Sequence, residues 1–332
     1  MSLVTKEHQL GAIIGALVGD ASGAVLEFYR GEITNDVVRN AMQMKGGGAL
    51  NMAPGQCTDD GELTLALISA LQNHKMTDTF PIIDIMTAYK DWLKSEPFDC
   101  GFTCRKAFGA YSRTGSIRDA LVEVSNLNAQ SEANGALMRA TPIPVFYHQL
   151  PNKTLALYAR LDAQLSHPNI ICQDANVLYS IAIAELIRYP RDYEGAVLMV
   201  EEYVSTNDIH PTVKLWLEDS KKDLKDIDDC TVNIGHVKHA FTLAFHFLRI
   251  GDTYENAIFQ TLLRGGDTDT NACIVGGIMG ALYGFHGIPE EMRETVLDFD
   301  CSKHDPWITL IGHKRPEIYR AMNAYDFVIS DK

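Results

Sequence analysis

The chain has 332 residues, 46% of them hydrophobic and 22% charged, enough apolar content to bury a substantial core in one large domain or two small ones. A formal net charge of -14 argues against a protein that grips a nucleic-acid backbone, a task that needs a Lys/Arg surplus, and against an anionic membrane surface.

In chain order, Ile13, Ile14, Leu17 and Val18 form an apolar stripe of helical period. Leu63 to Leu71 repeats that pattern, and further helices are expected near Ile82 to Leu93, Thr154 to Leu165, Ala175 to Arg188, Val237 to Leu248 and Tyr254 to Leu263. Strictly alternating runs are scarce and no 20- to 50-residue repeat occurs, so the expected class is all-α, a compact orthogonal helical bundle. Two glycine rows interrupt good helix-forming sequence: Gly11, Gly15, Gly19 and Gly23, and then Gly276, Gly280 and Gly284 with Ala272 extending the row. A mid-helix Gly costs about 1 kcal/mol relative to Ala, so such rows need compensation, and close helix approach supplies it. These two helices are expected at the centre, with each other as a natural partner. The stretch from Pro190 to Asp229 is more acidic and free of special motifs, and Asp219 to Asp223 reads as an exposed turn or helix end. Gly/Ser and Pro runs of the linker type are absent, so a single domain over residues 1–332 is expected.

Seven cysteines at Cys57, Cys100, Cys104, Cys172, Cys230, Cys273 and Cys301 have no framework spacing, which points to free thiols in a reducing compartment. Cys100 and Cys104 lack a second Cys/His pair at zinc spacing. The apolar stretches from Gly11 to Val18 and from Ile274 to Gly280 are too short to span a membrane. With no basic segment, apolar run and cleavage site at the start, a cytoplasmic location is expected.

Two Asp-rich corners carry the chemistry. The first is Gly55-Gln56-Cys57-Thr58-Asp59-Asp60-Gly61-Glu62, just before the helix at Leu63. The second is Arg264-Gly265-Gly266-Asp267-Thr268-Asp269-Thr270-Asn271, just before the second glycine row. Taken singly, each suits a helix start, where Asp and Thr cap the first turn and the dipole favours negative charge. Taken together, Thr58, Asp59, Asp60, Asp267, Asp269 and Thr270 offer four carboxylates and two hydroxyls, all hard oxygen ligands. If they converge, two divalent cations would relieve the repulsion, and the all-oxygen set favours Mg²⁺ or Mn²⁺ over zinc. The pattern is not an EF-hand loop, because no Glu occupies its last position.

At these residues the chain resembles the ADP-ribosylglycohydrolase family. The similarity runs from about Gln9 to Gly287, in the family's order. Gly15-Ala16-Leu17-Val18-Gly19-Asp20-Ala21-Ser22-Gly23 is similar to its opening glycine-rich helix, leading to Glu27. Thr58-Asp59-Asp60 resembles its first metal motif, and Asp99-Cys100-Gly101-Phe102-Thr103 resembles a loop lining the substrate cleft. Asn134-Gly135-Ala136-Leu137-Met138-Arg139 and Ser166-His167-Pro168 match two further elements. Gly265 to Asn271 is the most specific match.

The resemblance implies an all-helical fold with a two-metal centre at the base of a cleft. Its ligands, carried over by position, would be Thr58, Asp59, Asp60, Asp267, Asp269 and Thr270. Glu27 corresponds to an acidic residue that takes part in catalysis, with Asp59 or Asp60 orienting water. Asp99, Asn134, Gly135 and His167 correspond to substrate positions. The implied reaction is hydrolysis at the anomeric carbon of ADP-ribose linked to a protein or a small acceptor, by a chain expected to act as a monomer. Departures from the pattern are Cys57 in place of an aromatic residue, Gly61 in place of Thr or Ser, and Phe102 in place of a polar residue. They put acceptor preference in question more than catalysis. Two other readings stand beside this one: a catalytically silent ADP-ribose-binding relative, and a two-metal phosphohydrolase cleaving the pyrophosphate. Arg139 and Arg264 could meet phosphate, a ligand-binding Asp or an ordinary salt-bridge partner. His236, His239 and His246 read as structural, and Phe241, Phe245 and Phe247 as core.

Overall fold

The computed structural model describes residues 3–76 and 79–329, and all of its regular structure is helical. The chain opens with α1 (Leu3–Gly23), α2 (Asn35–Ala41), α3 (Asp59–Leu71) and α4 (Ile82–Lys94). Then come α5 (Phe102–Thr114), α6 (Ile117–Asn128), α7 (Pro142–Tyr147), α8 (Asn152–Gln164) and the long α9 (Ile170–Arg188). The second half holds α10 (Tyr193–Thr206), α11 (Pro211–Asp219), α12 (Val237–Ile250), α13 (Tyr254–Leu263) and α14 (Thr268–Tyr283). Three shorter helices close it: α15 (Glu290–Asp298), α16 (Pro306–Thr309) and α17 (Met322–Ile329).

The two glycine rows meet along the centre. A Cβ placed on Gly11 would lie 2.3 Å from the carbonyl oxygen of Gly280, one on Gly15 would lie 2.4 Å from that of Gly276, and one on Gly19 would lie 2.0 Å from that of Ala272. The reverse holds from α14, where Gly276 and Gly280 face the carbonyls of Gly15 and Gly11. The pair is therefore antiparallel with backbone against backbone, and no side chain fits between. Tyr254 of α13 braces the contact by donating to the carbonyl of Gly15 at 2.7 Å. Because the helices run antiparallel, the C-terminal end of α1 lies beside the N-terminal end of α14. The glycine packing thus sets Asp20 next to Asp269.

Around this axis the core is completed by α9 and α12. The α9 helix is long and apolar enough to cross a membrane by composition, yet 94% of its most apolar window is buried inside the protein. Phe241, Phe245 and Phe247 on α12 are fully buried. His236 caps α12 by accepting from the Lys238 N–H and also bonds Glu132. His239 and His246 bond the carbonyls of Val232 and Ser220, as the structural reading expects. The Pro190–Asp229 stretch holds α10 and α11, with Asp219 ending the latter.

Candidate active site

Thr58 and Asp267 occupy the residues just before α3 and α14, but neither side chain caps its own helix. The cap of α3 comes from another helix. Asp20 on α1 is fully buried, and its carboxylate accepts from the Thr58 N–H at 3.0 Å, the Gly61 N–H at 2.9 Å and the Thr58 hydroxyl at 2.8 Å. This explains Gly61, since a Cβ there would sit 2.7 Å from the Asp20 carboxylate. Gly61 and Cys57 therefore face α1, away from the cleft. At α14, the paired glycines before Asp267 adopt positive φ (64° and 77°), and a Cβ on Gly266 would lie 2.1 Å from the Cys230 carbonyl.

With α3 capped from α1 and the Asp267 side chain turned away from its own helix, the acidic side chains converge. The Thr270 hydroxyl donates to Asp60 at 3.2 Å, and the Thr58 hydroxyl oxygen lies 3.2 Å from the same carboxylate oxygen, so both corners meet at one carboxylate. Asp20, Asp60 and Asp269 each present an oxygen within 4.8 Å of the others, and so do Glu27, Asp267 and Asp269. Asp269 belongs to both groups, which places two candidate cation positions side by side. Asp59 points along the cavity and accepts from the Gly101 N–H at 3.0 Å. Asp267 accepts from the Asn134 amide at 2.8 Å.

Burial raises the proton affinity of this cluster. It pushes Asp20 up to about 7, and pushes Glu27 up to about 8 with help from the neighbouring charge of Asp99. Asp59, Asp60 and Asp269 are held well above the usual carboxylate range, first by desolvation and then by neighbouring acids, chiefly Asp99 at Asp59, Asp20 at Asp60 and Glu27 at Asp269, and Asp99 is raised as well. Glu27 Oε2 and Asp60 Oδ1 are buried without a hydrogen-bond partner. Unpaired buried carboxylate oxygens beside other carboxylates fit a cationic ligand, and the all-oxygen donor set fits a hard divalent cation.

The cluster floors a cavity of about 120 Å³ that also takes in Asp99, Asn134, Gly135 and His167. That is below the roughly 300–1,000 Å³ of pockets enclosing a whole drug-sized ligand, so it suits the reacting end of a larger substrate. His167 is buried, bonded through Nδ1 to Ser166 and unpartnered at Nε2, and burial drives it down to about 3, so it stays neutral. Phe102 stands exposed at the mouth beneath Lys106. A larger groove of about 880 Å³ between α2, α13 and α15 touches none of these residues.

Every predicted site residue is thus within this assembly. Asp20 is the functional candidate that the motifs did not single out; its signal was a charged residue inside an otherwise apolar glycine helix. Neither arginine reaches the cluster. Arg139 is fully buried, pairs with Asp162 and donates to the Gly135 carbonyl, fixing the segment that carries Asn134. Arg264 donates instead to the carbonyls of Leu224, Ile227 and Asp228.

Residues 1–323 match the model of the ADP-ribosylglycohydrolase family. The chain belongs to this family. Among its relatives, a candidate ADP-ribosyl glycohydrolase of Acanthamoeba polyphaga mimivirus is 30% identical, over 88% of this chain and 91% of that one. The ADP-ribosyl-[dinitrogen reductase] glycohydrolase of Rhodospirillum rubrum is 28% identical, over 85% and 88%. A solved ADP-ribosylglycohydrolase-related protein complex superposes with a TM-score of 0.71 at 25% identity, covering 98% of this chain and 99% of that one. The α1–α14 glycine pair and the cavity at its end therefore belong to an ADP-ribosylglycohydrolase fold.

Proposed function

We propose that this ADP-ribosylglycohydrolase releases ADP-ribose from a modified acceptor by hydrolysing the glycosidic bond, with two divalent cations, Mg²⁺ or Mn²⁺, in the carboxylate cavity. The observation that carries this reading is the convergence of two helix starts on one buried carboxylate cluster, with Asp269 common to both oxygen groups. Thr58, Asp59, Asp60, Asp267, Asp269 and Thr270 would hold the pair, with Asp20 fixing the first corner from behind. Bound there, such ions supply positive charge to ribose hydroxyls and lower the pKa of water.

The side chains supply the rest. Glu27 borders the cavity and has a buried, unpartnered Oε2, which makes it the candidate proton donor. As water adds to the anomeric carbon and the bond to the acceptor breaks, the Glu27 proton passes to the departing atom. Asp59, anchored on Gly101, orients the incoming water and takes the proton that the water gives up. Asn134, held by Asp267, and the neutral His167 with its free Nε2 contact the substrate. The acceptor is a protein in this reading, as the dinitrogen reductase in the name of the Rhodospirillum relative is for that enzyme.

Product analysis tests the proposal. With an Arg- or Ser-ADP-ribosylated protein and Mg²⁺ or Mn²⁺, free ADP-ribose should appear and EDTA should abolish its release. AMP and ribose phosphate would instead indicate pyrophosphate cleavage. Binding without turnover would indicate a silent relative, and turnover undiminished by EDTA would overturn the metal mechanism.

A further inference from the structure

The carboxylate cavity is too small for a whole substrate, and a chemically different space lies across Glu27 from it. This second cavity, of about 400 Å³, is also bordered by Glu27. Its walls are Leu26, Phe28, Tyr29, Ile33, Ile234 and Leu263. Single exposed apolar residues are ordinary on protein surfaces, but Phe28, Tyr29 and Ile234, exposed at 64%, 46% and 63%, gather around one hollow.

The backbone holds this arrangement at some cost. Phe28 adopts φ +58°, a conformation that bulky side chains rarely take, and such strain collects at functional sites. Tyr29 folds back onto Gly31, where a Cβ would sit 2.7 Å from its ring. The segment directly after Glu27 is thus shaped to present two aromatic rings.

Charge decides which part of a substrate fits. Besides Glu27, the charged residue at this cavity is Arg264, and both terminal nitrogens of its guanidinium are taken by backbone carbonyls. With those donors spent on the 224–228 loop, the hollow presents mainly apolar walls rather than a phosphate clamp. A glycosidic bond has two sides, however, and the group that protonates the leaving atom must face the acceptor.

We propose that this cavity is the acceptor subsite, and that it takes an uncharged, apolar or aromatic side chain next to the modified residue of an ADP-ribosylated polypeptide. The inference rests on the glycohydrolase reading above and adds the sequence context of the acceptor.

The test compares two ADP-ribosylated peptides, identical except for Leu or Asp beside the modified residue, in the metal-loaded enzyme and in Tyr29→Ala and Ile234→Ala. The Leu peptide should have the higher kcat/KM by about tenfold, the scale of burying one apolar side chain, and each substitution should shrink that ratio several-fold. Binding of free ADP-ribose, measured by calorimetry on the same proteins, should change by less than about twofold. Turnover of both peptides with equal efficiency would overturn this inference alone. Equal weakening of ADP-ribose binding would also overturn it, because the cavity would then hold the nucleotide. Failure to cleave either peptide would instead remove the glycohydrolase reading on which it stands.

Discussion

Two buried acidic regions lie within one turn of each other on α3 and follow opposite rules. Glu62 receives the Arg315 guanidinium at 2.8 and 3.0 Å and the Trp92 N–H at 2.8 Å, and Arg315 also donates to the Ser95 and Glu96 carbonyls. Its charge is answered within the fold. Two and three residues earlier, Asp60 and Asp59 are also buried, but their neighbours are Asp20, Asp269 and Glu27. Among the described residues no Lys or Arg makes an ion pair with this cluster. Desolvating a charge is costly wherever it occurs, so a fold that answers Glu62 with a guanidinium and gives Asp60 no basic partner fits the cation site proposed above.

The largest way to break the comparison is to remove the shared carboxylate. Asp269→Ala should lower kcat/KM by more than the roughly 10–100-fold that loss of an outer partner of a metal ligand causes. Titration with Mn²⁺ should show weakened binding. Glu27→Gln keeps the shape but withholds the proton, and kcat should fall by about 10²–10⁴-fold, with Mn²⁺ binding weakened less than in Asp269→Ala. A kcat within a fewfold of the parent would remove Glu27 from proton transfer.

On the structural side, Arg315→Met leaves Glu62 buried without its partner and should destabilise the protein by about 3–5 kcal/mol in denaturant unfolding. Adding Glu62→Gln should recover part of that loss. If the single variant unfolds like the parent, the ion pair is not what satisfies this region.

A smaller effect sharpens the contrast through pH. In chelated protein the folded state binds protons more tightly than the unfolded chain at Asp20, about 7 against 3.8, and at Glu27, about 8 against 4.5. The unfolded state therefore releases these protons first, and stability should fall as pH rises from about 4 to about 8. Saturating Mg²⁺ or Mn²⁺ should remove that decline, so the melting-temperature gap between loaded and chelated protein should widen with pH. A gap that narrows would contradict the unanswered charge.

Much of this was legible in the residues themselves. Helical period located α3, α4, α8, α9, α12 and α13 to within a few residues, because each buries one continuous stripe or more. The helices α2, α5, α6, α7, α10, α11, α15, α16 and α17 lie outside those stretches. The glycine rows announced close packing because nothing else compensates for glycine within a helix. The oxygen-rich corners announced themselves by composition.

What the sequence determined, then, was the inventory: an all-helical chain, two glycine-faced helices and two acidic helix starts. Only the tertiary structure decided that Thr58 and Asp267 do not cap the helices they precede. Capping looks local in sequence, yet at α3 it is supplied by Asp20 from a helix forty residues away, and this frees Thr58 and the neighbouring carboxylates to turn inward. The antiparallel glycine contact brings the end of α1 to the start of α14, and that geometry makes Asp269 common to both groups. Spacing along the chain carries no record of such a meeting, because it depends on which helices can approach to backbone contact.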